Sequence, residues 1–154
     1  MLLKKVTEQD IGLLFFWFCK EEVRVFFGDP KEWTNEIVEN LKNGSNWVFY
    51  YLVFVENIPI GFVQYYETNK APLGLWSKEP DGTVGIDYLI GEPDFLKKGY
   101  GSRIIKSLVS LIRKTNKYRF IIADPMVDNF ASISVLTNNG FIKQGNGLYR
   151  LIIK

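Results

Sequence analysis

The chain has 154 residues, of which 47% are apolar, 16% aromatic and 23% charged, enough for about one domain with a real core and unlike a disordered or fibrous chain. It has no histidine and one cysteine, which excludes Ser-His-Asp triads, Cys-His pairs and histidine-dependent zinc sites and leaves acid-base work to carboxylates, tyrosines, lysines or water. The formal charge of +2 argues for neither a nucleic-acid nor a membrane-surface partner, yet residues 1–94 carry 8 basic and 15 acidic side chains (−7) and residues 95–154 carry 11 and 2 (+9).

Residues 2–6 read as a short strand, and Thr7 as the N-cap of a helix carrying Ile11, Leu13, Leu14, Phe16 and Trp17. Cys19 ends that apolar run and is expected to be a buried bystander, since free cysteine is among the most buried residue types. A lone thiol fits a reducing, cytoplasmic setting. The apolar runs 11–19 and 47–55 fall far short of the roughly 20 residues that cross a bilayer. No small-residue cleavage site follows Lys4 and Lys5, so no signal peptide is expected. Asp29, Pro30 and Glu32 mark a capping-box-like start for a helix with Trp33, Ile37 and Leu41 on one face and Gly44 as its stop.

Residues 46–56 and 58–67, rich in aromatic and β-branched side chains, predict a hairpin about Asn57. Residues 68–81 hold two prolines, a glycine and the lone Trp76, a long loop of the kind that carries function. Residues 83–90 form the next strand, stopped by Gly91, Glu92, Pro93 and Asp94. From Gly101 the apolar positions Ile104, Ile105, Leu108, Val109, Leu111 and Ile112 keep a helical period, with Arg113, Lys114 and Lys117 where the helix dipole favours cations. A buried strand at 118–123, a helix at 129–139 with Gly140 at C′, and a hairpin at 141–153 complete the order β-α-α-β-β-β-α-β-α-β-β over one domain, residues 1–154.

The sharpest local feature is Leu96-Lys97-Lys98-Gly99-Tyr100-Gly101-Ser102, between a strand and an amphipathic helix. Glycines allow close approach of the backbone, and the unpaired N–H groups and dipole of a helix start favour a phosphate or pyrophosphate. Lys97 and Lys98 add charge and Ser102 a hydroxyl donor. The GxxxxGK[ST] run of a P-loop is missing, and so is the third glycine near Ile104 that a dinucleotide fingerprint needs. On these residues alone, a tight strand-to-helix turn with no ligand is the alternative.

With the second half of the chain, this turn resembles the GNAT family of acetyl-CoA-dependent N-acetyltransferases. The family's strand, (Q/R)xxGxG/A turn and long helix are matched with Leu96 in place of the usual Gln or Arg. Its second motif is matched by Asp128-Asn129-Phe130-Ala131-Ser132 leading a helix that ends in Asn139-Gly140-Phe141. Within the family the chain is most similar to the aminoglycoside 6'-N-acetyltransferases, through Gly85-Ile86-Asp87, Asp124-Pro125 before Asn129, Pro59-Ile60-Gly61 with Gln64, and Trp76. The resemblance implies an α/β (α+β) fold with a mixed, mostly antiparallel central sheet flanked by helices.

It also implies acetyl-CoA as co-substrate, no metal, and a role in antibiotic resistance. The pantetheine would pair with the strand edge at Tyr88, Leu89 and Ile90, and the pyrophosphate would lie on the turn formed by Lys97, Lys98, Gly99, Tyr100, Gly101 and Ser102. Asn129 and Ser132, at the mouth of the second helix, would complete the cofactor site, Asn129 doubling as an ordinary helix cap. Asp87 and Asp124 are the acidic candidates for the amine, with Gln64 and Trp76 lining the same cleft and Trp76 offering a cation–π face. Asp87 is the expected base and the Leu89 N–H the expected oxyanion donor.

The carboxylates Glu79, Asp81, Glu92 and Asp94 read as a solvated rim. In this family a tyrosine five residues before the Gly-Phe phenylalanine often protonates the leaving thiolate. That position is Leu136 here, which leaves Tyr149 or a water as substitutes.

The expected acceptor is a small cationic amine or aminoglycoside, for a monomer or homodimer with no nucleic-acid or membrane partner. The alternatives are a peptide or protein N-acetyltransferase of the same fold and a non-catalytic acetyl-CoA-binding module. The loop at 68–81 discriminates between acceptors: a peptide needs an open groove, a small cation a closed acidic pocket.

Overall fold

The computed structural model describes residues 1–154. Its strands are β1 (Leu2–Lys5), β2 (Val48–Val55), β3 (Ile58–Glu67), β4 (Thr83–Ile90), β5 (Phe120–Ala123), β6 (Ile142–Lys143) and β7 (Tyr149–Ile152). They form one sheet in the order β1-β2-β3-β4-β5-β7-β6, antiparallel throughout except for the parallel pair β4–β5. The mixed, mostly antiparallel sheet expected from the resemblance is present. The β2–β3 hairpin turns on Glu56 and Asn57, both with positive φ (48° and 67°), the backbone that matches the right-handed twist of the strands.

Three helices precede β2, where the apolar spacing predicts two: α1 (Ile11–Phe18), α2 (Glu21–Phe27) and α3 (Pro30–Lys42). Lys20 is extended and separates α1 from α2, and Gly28, at φ 83°, ends α2. Thr7 starts only a 3-10 turn, Glu8–Asp10, in which Asp10 accepts from the Thr7 N–H at 2.8 Å and from its hydroxyl at 3.2 Å. At α3 the Asp29 side chain accepts from the Lys31 N–H at 2.9 Å behind Pro30. Asp29 and Pro30 therefore act as expected, while Glu32 makes no reciprocal capping bond.

Cys19 is exposed, contrary to its expected burial. The period of α1 turns Leu14, Trp17 and Phe18 inward, and a residue four beyond Phe15 falls on the outward face with it.

Two apolar clusters hold the layers together. On one face of the sheet, α1–α3 pack Trp17, Phe18 and Ile37 against Leu52, Phe62 and Leu89. On the other, α4 (Tyr100–Lys114) and α5 (Phe130–Asn138) cover Val63, Val84, Ile86 and Ile121. Alternation along β4 thus sends Asp87 and Leu89 toward α1–α3, and Tyr88 and Ile90 toward α4 and α5. No helix is long and apolar enough to cross a membrane.

Candidate active site

The site is built where the sheet comes apart. β4 and β5 pair only at Thr83–Phe120, Val84–Ile121 and Gly85–Ile122. Pro125 follows β5 and has no N–H to carry the ladder on. From Ile86 onward β4 therefore has a free edge on the side that β5 has left. Two residues beyond the last pair stand Asp87 on β4 and Asp124 after β5.

Three adjoining cavities meet at this fork. The largest, about 480 Å³, runs from Tyr88, Leu89 and Ile90 past Lys97, Gly99, Tyr100, Gly101 and Ser102 to Asn129 and Ser132. A second, about 370 Å³, is walled by Trp33, Glu36, Gln64, Tyr66, Trp76, Asp87 and Asp124. A smaller one of about 110 Å³ joins them, sharing Tyr88, Asn129 and Ser132 with the first and Asp87, Asp124 and Trp33 with the second.

Of the residues singled out for cofactor binding, only Lys98 lines none of these cavities; its side chain is exposed beyond the turn.

The two glycines of the turn do different work. Gly99 has φ 83° at the N-cap of α4, with open space where a Cβ would stand, so it suits close approach by a ligand. Gly101 instead lets α4 settle on α5, because a Cβ there would lie 3.3 Å from Val135 Cγ2. Ser102 Oγ accepts from Asn139 Nδ2 at 3.0 Å, which leaves its own proton to donate. Asn129 caps α5, its Oδ1 accepting from the Ser132 N–H at 3.2 Å, and also lines the groove.

Along the free edge, the Leu89 carbonyl points at β3, so closely that a Cβ on Gly61 would stand 2.3 Å from its oxygen. A trans peptide points its C=O and N–H oppositely, so this peptide turns the Ile90 N–H toward the groove.

On the acidic side, Gln64 Nε2 donates to Asp87 Oδ2 at 2.7 Å across the β3–β4 pair. Burial pushes Asp87 up to about 6, the negative charges of Asp124 and Glu36 push the same way, and the Gln64 donor opposes them. Partial desolvation within the cleft also raises Asp124. Tyr66 lies beneath both carboxylates, and burial together with their charges holds it as the neutral phenol. Gly85 makes room for that ring: a Cβ there would be 2.2 Å from Tyr66 Cζ.

The loop between β3 and β4 is a built wall. Its Trp76 indole N–H donates to Pro72 O at 2.8 Å, and the ring meets Tyr66 edge-on with centroids 5.8 Å apart.

Two carboxylates of the expected rim serve other ends. The Glu79 side chain is largely buried and pairs with Arg150 at 2.5 Å, tying the end of that loop to β7. Glu92 accepts the Trp17 indole N–H at 2.7 Å. Tyr149, a candidate acid, is buried in the core and lines none of the three cavities, whereas Leu136 is fully buried beside the joining one.

Phe26 and Phe27 of α2, with Trp33 and Glu36 of α3, complete the walls and were not anticipated from the sequence. The signal for α2 was legible in Glu21 and Glu22 ahead of Val23, Phe26 and Phe27 at helical spacing, closed by Gly28.

The sequence profile of the acetyltransferase (GNAT) domain matches residues 6–147. An aminoglycoside N(6')-acetyltransferase type 1 from Klebsiella pneumoniae is 29% identical over 153 residues, covering 93% of this chain and 74% of the relative. A kanamycin resistance protein from Rhizobium radiobacter is 32% identical over 71 residues, 46% of this chain and 66% of that protein. Among solved structures, the acetyltransferase AAC(6')-Ib in complex with paromomycin and acetyl-CoA superposes with a TM-score of 0.84 at 25% identity, covering 96% of this chain and 88% of that one. With the forked sheet and the glycine turn at the head of α4, these matches establish that the chain belongs to the GNAT family of acetyl-CoA-dependent acetyltransferases.

Proposed function

We propose that this protein transfers the acetyl group of acetyl-CoA to a primary amine of an aminoglycoside, at the 6' position. The observation that carries the reading is the joining cavity, which connects a groove beside the free β4 edge to a pocket of three carboxylates and four aromatic walls: Trp33, Trp47, Tyr66 and Trp76. Such a pocket suits a small polycation, because carboxylates and aromatic faces both attract ammonium groups. A peptide acceptor needs an open strand edge for backbone pairing, and the free β4 edge at Tyr88–Ile90 lies in the cofactor groove and not in this pocket. The similarity to an aminoglycoside N(6')-acetyltransferase and to a kanamycin resistance protein supports the same acceptor class.

In this reading the pantetheine lies along Tyr88–Ile90 as an added strand, and the pyrophosphate takes the N–H groups at the head of α4 with Lys97 and Ser102. Asp87 accepts a proton from the ammonium, directly or through water, and the freed amine attacks the thioester carbonyl carbon. The C–N bond forms as the carbonyl electrons move to oxygen. The Ile90 N–H on the free β4 edge receives that oxyanion; the Leu89 N–H, the donor the resemblance implies, faces β3 together with its own carbonyl and is taken up in the sheet. Collapse breaks the C–S bond and sends the electron pair to sulfur. Asp124 and Glu36 hold further ammonium groups of the acceptor, and Gln64 keeps the Asp87 carboxylate oriented.

The test is thiol release from acetyl-CoA in the presence of kanamycin or tobramycin. Turnover that depends on the aminoglycoside and falls by about 10²–10⁴ in Asp87→Asn is expected. Turnover only with peptide amines would overturn the acceptor.

A further inference from the structure

Breaking the C–S bond leaves charge on sulfur at the joining cavity, and the carboxylates on its far side can only repel it. Five residues line both that cavity and the cofactor groove: Phe26, Phe27, Tyr88, Asn129 and Ser132. Tyr88 is the one titratable side chain among them. Its hydroxyl lies 2.9 Å from Ser132 Oγ, a bond in which either oxygen can donate. It stands on the α4–α5 face of β4, opposite Asp87 on the next residue, so the two groups approach the fork from different faces of the sheet.

Resting on the acetyl-transfer reading, we propose that the Tyr88 phenol is the hydrogen-bond and proton donor to the coenzyme A sulfur as it leaves, with Ser132 supplying the replacement proton. When the C–S bond breaks, the Tyr88 O–H donates to the sulfur lone pair. A thiol near 8.5 is more acidic than a phenol near 10, so the transfer is completed only as the Ser132 hydroxyl turns its proton onto the Tyr88 oxygen and recovers one from cleft water. The products are the free thiol of coenzyme A and the amide. Of the two protons the ammonium loses, one balances the sulfur and one leaves to solvent through Asp87. Burial keeps Tyr88 protonated through the working range, and the apolar Leu136 beside it provides no competing donor.

Two measurements on Tyr88→Phe test this, one of them independent of the acceptor. With coenzyme A bound, ultraviolet titration of the thiolate should show the thiol pKa about one unit higher in Tyr88→Phe than in the wild type, because a donor to the thiolate is gone. With an amine that the wild type acetylates, kcat should fall about 10²-fold while KM for acetyl-CoA stays within about twofold. Ser132→Ala should lower kcat less and leave the bound thiol pKa below that of Tyr88→Phe. An unchanged bound-thiol pKa, or a loss confined to KM, would overturn the assignment. Failure of kanamycin as acceptor would count against the acceptor class alone, since the thiol titration needs none.

Discussion

The Gln64 amide donates to the Asp87 carboxylate at 2.7 Å across adjacent strands, and this one bond is set against burial and two neighbouring negative charges. With Asp87 near 6, the base is half-protonated at that pH. kcat/KM for the amine should therefore rise about tenfold per pH unit below 6 and level off above it. Gln64→Met, which removes the opposing donor, should move that limb to higher pH. Asp87→Asn should lower kcat by about 10²–10⁴ and abolish the limb. Steady-state profiles from pH 5 to 9 decide the matter, and a limb that stays in Asp87→Asn assigns it elsewhere.

The same shift bears on stability. The folded pKa of Asp87 lies above the ordinary unfolded value, so the folded state holds the proton more tightly. That contribution is full below about pH 4 and is lost as pH rises through about 6. Asp87→Asn, which keeps an acceptor for Gln64, should thus stabilise the protein by about 1–2 kcal/mol at pH 8 and by little at pH 4. Urea midpoints at the two pH values give the difference, and a loss of stability at pH 8 would contradict the assigned burial penalty.

Gly85 is a glycine because the Tyr66 ring occupies the place of its side chain. Gly85→Ala should force Tyr66 into the acceptor pocket, costing about 1–3 kcal/mol of stability and raising KM for the amine more than KM for acetyl-CoA. Thermal melts together with the two KM values test this. An equal rise in both would place the disturbance elsewhere.

Lys97 lines the cofactor groove and Lys98 does not. Lys97→Ala should raise KM for acetyl-CoA about fivefold at low salt, roughly 1 kcal/mol, an effect that fades with ionic strength. Lys98→Ala should change it by less than about twofold. Equal effects would mean that the turn acts through net charge alone.

Much of this site is local in the sequence, and that part was legible. The hairpin at Asn57, the helix behind Gly99 and the Asn129 cap each follow from a few adjacent residues whose backbone preferences act within one turn. The fork was not legible, because the loss of β5 beyond Gly85 depends on where two distant strands stop pairing. The place of Glu36 and Trp33 at the site was hidden for the same reason: their helix reads as an ordinary amphipathic one with Trp33 on its apolar face, and only tertiary packing brings the two residues to Asp87. Charge told half the story. The acidic part of the chain supplies Glu36 and Asp87 and the basic part supplies the turn, but Asp124 joins the acidic pocket from the basic half.

The central claim is that the fork joins an acetyl-CoA groove to a pocket for a polycationic aminosugar. The most direct measurement is the product of incubating the protein with acetyl-CoA and kanamycin, with the site of acetylation located by nuclear magnetic resonance. A single acetyl group on the 6' nitrogen, formed in step with thiol release and about 10²–10⁴ more slowly in Asp87→Asn, is the predicted result. Thiol release with no aminoglycoside of a broad panel, alongside acetylation of a different amine, would contradict it.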